Sequence, residues 1–107
     1  MKSALSNYSR CNADNLTFWY DKDELVAMVG LSERDGLVWI HSLYISPIYR
    51  KKGYCYSLLD YTTLLGGIRL SVRKTNKIAI YAYEKYGFIR YDEDNIYYQM
   101  KLKEDTL

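Results

Sequence analysis

Leu37-Val38-Trp39-Ile40-His41-Ser42-Leu43-Tyr44-Ile45, followed after Ser46-Pro47-Ile48 by Tyr49-Arg50-Lys51-Lys52-Gly53-Tyr54-Cys55, is the stretch around which the chain is organised. The first nine residues are mostly β-branched, aromatic or aliphatic and predict a buried strand. Pro47 ends it. From Tyr54 the spacing turns helical, with Leu58, Leu59, Thr62 and Leu65 on one side. Arg50 to Gly53 is therefore a tight loop between a strand and a helix N-terminus. The N–H groups there have no helical partners, and the helix dipole adds positive potential. Arg50, Lys51 and Lys52 add three full charges. The expected ligand is a phosphate or pyrophosphate; the alternative is an ordinary exposed basic turn.

Outward from this stretch, the sequence punctuates itself. Residues 1–15 are polar and weakly patterned, enough for one turn of helix or a loose segment. Leu16–Tyr20 and Glu24–Leu31 read as strands, and Asp35-Gly36 as a hairpin signal before Leu37. These three strands predict an antiparallel meander. After the first helix, Gly66-Gly67 is a stop and Ile68–Val72 a short strand. That strand returns through a crossover and should lie parallel to Leu37–Ile45. Thr75 or Asn76 can cap a second helix that runs to about Tyr86, with Ala79, Ala82, Tyr83 and Tyr86 at helical spacing. Phe88–Tyr91, the turn Asp92–Asn95 and the alternating Ile96–Leu102 complete the chain, and 103–107 reads as a loose tail. The order βββ-α-β-α-ββ is an α/β (α+β) fold with a mixed sheet. Its default ligand site is a crevice at the carboxyl ends of the strands, between Leu37–Ile45 and Ile68–Val72.

Composition sets the outer bounds. The 107 residues make one domain, and 49% hydrophobic with 26% charged residues is a globular balance. A net charge of +2 is too small to argue for nucleic acid. Cys11 and Cys55 are far apart and without metal-ligand spacing, so two free thiols in a reducing compartment and no metal are expected. The N-terminal residues lack an apolar signal-peptide core, and no apolar run approaches membrane-spanning length. The sequence predicts a soluble, cytoplasmic protein with no membrane partner.

Two blocks carry a family resemblance. Arg50-Lys51-Lys52-Gly53-Tyr54-Cys55 resembles the R/Q-x-x-G-x-G/A loop of the GCN5-related N-acetyltransferase (GNAT) family, with Cys55 where a small Gly or Ala is usual. Leu70-Ser71-Val72, then Asn76-Lys77-Ile78-Ala79-Ile80-Tyr81-Ala82-Tyr83-Glu84-Lys85-Tyr86-Gly87-Phe88, resembles the family's N-x-x-A-x-x-x-Y-E-K-x-G-F block. The resemblance covers residues 16–102 of a single domain, 1–107. Family members usually carry a strand and two helices ahead of the first strand read here, so the chain looks like a minimal, N-terminally shortened member. The missing segment commonly forms one wall of the acceptor pocket.

The resemblance implies transfer of an acetyl group from acetyl-CoA to a primary amine of a small molecule or protein, by direct attack. Backbone N–H groups of Lys51, Lys52, Gly53, Tyr54 and Cys55, with Arg50, would cradle the pyrophosphate. The backbone of Leu43, Tyr44 and Ile45 would pair with the pantetheine arm as an added strand would, and the Leu43 or Tyr44 N–H could polarise the thioester carbonyl. Tyr83 matches the family's general acid for the leaving thiolate, a group of similar basicity to a phenol; Tyr81 and Tyr86 are rivals, and all three can be packing tyrosines. Asn76 is the family position that bonds the pantetheine arm, or simply a helix cap. His41, the single histidine, is a candidate base or a structural residue, on a face that depends on any bulge. Asp21, Asp23 and Glu24 could attract a cationic amine or form a solvated turn. Two other functions stay open: a non-catalytic CoA or acyl-CoA-binding module and, more weakly, a nucleic-acid binder. A homodimer could complete the shortened pocket.

Overall fold

The computed structural model describes residues 4–103. Two short 3-10 turns, Ala4–Asn7 and Pro47–Tyr49, accompany seven strands and two helices. The strands are β1 (Ser9–Ala13), β2 (Leu16–Asp21), β3 (Glu24–Arg34), β4 (Leu37–Ile45), β5 (Gly67–Arg73), β6 (Phe88–Glu93) and β7 (Tyr97–Leu102). Helix α1 spans Tyr54–Leu64 and α2 spans Lys77–Tyr86. All join one mixed sheet in the order β1-β2-β3-β4-β5-β7-β6, antiparallel except at β4–β5. The expected meander, the parallel return and the α+β class all hold.

β1 is the addition. All five of its residues are exposed, so no alternation marks it in the sequence. It exists because it pairs with β2 from Ser9↔Tyr20 to Ala13↔Leu16, through a turn that sets Asp14 at φ 56°. At the other end of the chain, the Lys103 N–H donates to the Gly87 carbonyl at 3.1 Å, so Lys103 is tied to the fold; residues 104–107 lie outside the described range.

Both crossovers run the same way across the sheet, which puts both helices on one face. Tyr56 and Tyr86 stack with centroids 6.3 Å apart, and the Tyr86 hydroxyl donates to Asp60 at 2.6 Å, tying α1 to α2. Beneath them Trp19, Val29, Ile40, Leu70, Val72 and Met100 meet Leu58, Leu59 and Ile80 in one core. Leu65 departs from the expected stripe: α1 stops at Leu64, and Leu65 is 52% exposed in the cap position. Ser57 takes a buried place instead.

Strand alternation puts Leu16, Phe18, Tyr20, Met28, Trp39 and Tyr44 on the opposite face. No helix among the described residues covers that face.

Candidate active site

The β4–β5 ladder stops early. Its register runs Val38↔Gly67, Trp39↔Arg69 and Ile40↔Leu70, and no further. Beyond Ile40 the two strands diverge, so the β5-facing backbone of His41–Ile45 has no ladder partner there. The gap is a cleft of about 250 Å³ lined on the β4 side by Ile40, His41, Ser42 and Leu43, and opposite by Leu70–Arg73. Asn76, Tyr83 and Tyr97 close it.

A bulge in β4 sets the orientation of His41. Met28 pairs with Tyr44 and Gly30 with His41, so two steps on β3 face three on β4. Ser42 absorbs the extra residue at φ 55°, a left-handed conformation that costs a non-glycine residue roughly 1–2 kcal/mol. The bulge leaves Leu43 and Ile45 packed toward the core and Tyr44 41% exposed on the open face. His41 also lies on the open face, with its ring over Gly30. A Cβ at Gly30 would sit 2.3 Å from His41 Cε1, so only glycine leaves room for the ring. His41 Nδ1 is 3.0 Å from Ser42 Oγ.

Tyr83 enters from the helix face. Its ring lies 6.1 Å from that of Phe88. Burial pushes the phenol up to about 12, with Cys55 a lesser cause. Burial also raises the Cys55 thiol. The phenol is thus a weaker acid than the sequence reading supposed. At neutral pH the Tyr83 phenol therefore stays protonated, a hydrogen-bond donor at the cleft. Of its rivals, Tyr81 is exposed and Tyr86 is committed to Asp60.

Asn76 Oδ1 accepts the Ala79 N–H at 3.2 Å as the cap of α2, while the residue also lines the cleft.

The basic loop is shaped by two left-handed residues, Lys51 at φ 62° and Gly53 at φ 81°. Gly53 is the N-cap of α1 and supplies no side-chain acceptor, so the first N–H groups of the helix are left for an anion. Arg50 Nε donates to the Ile45 carbonyl at 2.8 Å, pinning the loop to the end of β4. Lys52 lies 5.8 Å from the Tyr49 ring.

The cleft therefore gathers His41, Leu43, Asn76 and Tyr83 within one wall. Tyr44, Ile45 and the loop Arg50–Cys55 lie outside that wall, with Cys55 the link to Tyr83. Asp21, Asp23 and Glu24 line a separate depression, and Asp21 accepts the Tyr49 hydroxyl at 3.4 Å. Gly30, Ser42, Arg73 and Tyr97 are additions that sequence reasoning did not single out. Tyr97 reaches the cleft because β7 inserts between β5 and β6, an order that no local pattern encodes.

These features define a class, mixed-sheet domains opened at one parallel strand pair beside a basic loop. The sequence profile of the acetyltransferase (GNAT) family matches residues 2–88. The chain belongs to that family. No curated protein matches it in sequence. Among solved structures it is similar to the PaiA N-acetyltransferase of Thermoplasma acidophilum in complex with coenzyme A, at TM-score 0.70 and 23% identity over 82% of this chain and 59% of that one. It is also similar to Escherichia coli ElaA, at 0.66 and 20% over 82% and 67%. A GNAT family acetyltransferase from Elizabethkingia anophelis with acetyl-CoA bound matches at 0.66 and 18%, over 81% and 75%. At these identities the likeness is one of fold. The chain spans only 59% of the length of the Thermoplasma enzyme.

Proposed function

We propose that the protein is an N-acetyltransferase that moves the acetyl group of acetyl-CoA to a primary amine by direct attack. The observation that carries this is the cleft beyond Ile40–Leu70, which holds His41, Asn76 and Tyr83 together beside the uncapped N-terminus of α1. The residues present fit the co-substrate: a left-handed glycine and free helix N–H groups suit a pyrophosphate, and an unpaired strand edge suits the amides of pantetheine. Acetyl-CoA would supply the activated acetyl group. Lys51–Cys55 hold the diphosphate, with Arg50 fixing the loop. The backbone edge of β4 at Leu43 and Tyr44 and the Asn76 amide orient the arm, with the Ile45 carbonyl held by Arg50. His41 takes a proton from the amine, and Tyr83 donates a hydrogen bond to the departing sulfur. Two unpaired thiols, Cys11 and Cys55, support a cytoplasmic setting. A homodimer in which a second copy completes the edge of the shortened pocket belongs to the same proposal. Among the described residues no helix is long and apolar enough to cross a membrane.

The test is thiol release from acetyl-CoA over a panel of amines. Tyr83→Phe should lower kcat about 10²-fold, and Arg50→Ala should act mainly on the KM for acetyl-CoA. Acetyl-CoA should raise the melting temperature. A raised melting temperature with no turnover would instead mark a CoA-binding module. Neither effect, with salt-dependent oligonucleotide binding, would mark the nucleic-acid reading.

A further inference from the structure

The open face of the sheet carries a charge pattern that the proposed reaction does not require. Alternation along β5 points Arg69, Ser71 and Arg73 to that face. Arg69 pairs with Lys101 and Arg73 with Tyr97, while Trp39 lies beside Arg69 on β4. Each cation rests on a ring. The Arg69 guanidinium and the Lys101 ammonium lie 5.1 and 5.6 Å from the Tyr91 centroid. Arg73 lies 5.6 Å from Tyr97, and Arg34 is 4.0 Å from Trp39. Among the described residues none of these four has a carboxylate within ion-pair distance. The acid sharing this face, Asp92, sits on edge strand β6, where Oδ1 accepts the Glu93 N–H. The cleft continues the pattern: its lining holds Arg73 and His41 and no carboxylate.

A site for a polyamine or another simple cation would need the opposite lining. We infer that the acceptor is an anionic amine, a primary amine with a carboxylate or phosphate close by, and that Arg73 holds its anionic group. This rests on the transferase reading and narrows it. Arg73 and His41 line opposite strands of the same cleft, with Arg73 two residues further along β5 than Ser71, the residue level with His41, so an acceptor whose anion sits on Arg73 can extend its amine along the cleft toward His41. Positive charge next to an ammonium also lowers its pKa, which favours the neutral, attacking form. Arg69 and Lys101 extend the positive field along the face, drawing such acceptors toward the mouth.

Matched acceptors separate the possibilities: β-alanine against its carboxamide, aminoethyl phosphate against ethanolamine, and spermidine as a cation. We expect kcat/KM for the anionic member of each pair to be about 10–100-fold higher, the worth of a charge-assisted hydrogen bond. The carboxylate and phosphate arms tell which anion fits. In Arg73→Gln the anionic-to-neutral ratio should collapse toward one, and Arg73→Lys should restore part of it. Equal or better turnover of neutral or cationic amines overturns this inference and leaves the transferase reading standing. So does an unchanged ratio in Arg73→Gln. No turnover of any amine, with acetyl-CoA bound, overturns both.

Discussion

His41 and Gly30 behave as one unit. The histidine ring occupies the space that any side chain at 30 would fill, and the Ser42 bulge turns it there. Gly30→Ala should therefore displace the ring, lower turnover as far as His41→Ala does, and cost about 1–3 kcal/mol through overpacking. In the His41→Ala background the same change should be nearly free of a stability cost, because the obstructing ring is gone. Thermal denaturation of the two single variants and the double variant reads the coupling. Tyr83 makes a second residue-scale prediction. Its folded value of about 12 lies above the unfolded value near ~10, so the native state holds the proton more tightly. The corresponding stability is whole below pH ~10 and fades as pH rises toward 12. Urea melts across that window should show Tyr83→Phe losing less stability with pH than the parent protein. Below it, Tyr83 should add no limb to a pH–rate profile.

At the scale of elements, Asn76 caps α2 and lines the cleft with one side chain. Asn76→Ala should remove the cap of α2 and cost about 1 kcal/mol, together with some acetyl-CoA affinity. Asn76→Asp keeps an acceptor for the Ala79 N–H and adds a charge suited to a helix N-terminus, yet lacks the amide donor. It should hold stability while weakening acetyl-CoA binding in calorimetry. Equal affinity in both variants and the parent would leave Asn76 as a cap alone. The same scale shows why elements were legible unevenly. β4 lies from Leu37 to Ile45 as read, because its apolar run is continuous and bounded by Gly36 and Pro47. The ends of α1 and α2 follow Gly53, Gly66 and Gly87 closely. β1 was hidden because an edge strand with both faces wet carries no period, and only its partner β2 defines it.

At the scale of the molecule, one core joins sheet and helices at Leu58 and Leu59, both fully buried. Leu58→Ala should destabilise the fold by about 2–5 kcal/mol, read as a shift in the urea midpoint at constant slope. The two faces of the sheet divide the labour. One is covered by α1 and α2 and holds the core, while the other stays open beside the cleft and bears the unpaired cations.

The sequence by itself determined the fold class, the family and the position of the basic loop ahead of α1. Those rest on local periodicity, turn residues and short motifs, Arg50–Cys55 and Asn76–Phe88, which neighbouring residues encode together. Only the tertiary structure decided the face of His41, the necessity of Gly30, the position of Tyr97 and the company kept by Arg73. Each depends on strand order, a one-residue bulge or the point where a ladder ends. These are contacts between segments distant in sequence, and a one-residue shift in register turns a side chain to the opposite face.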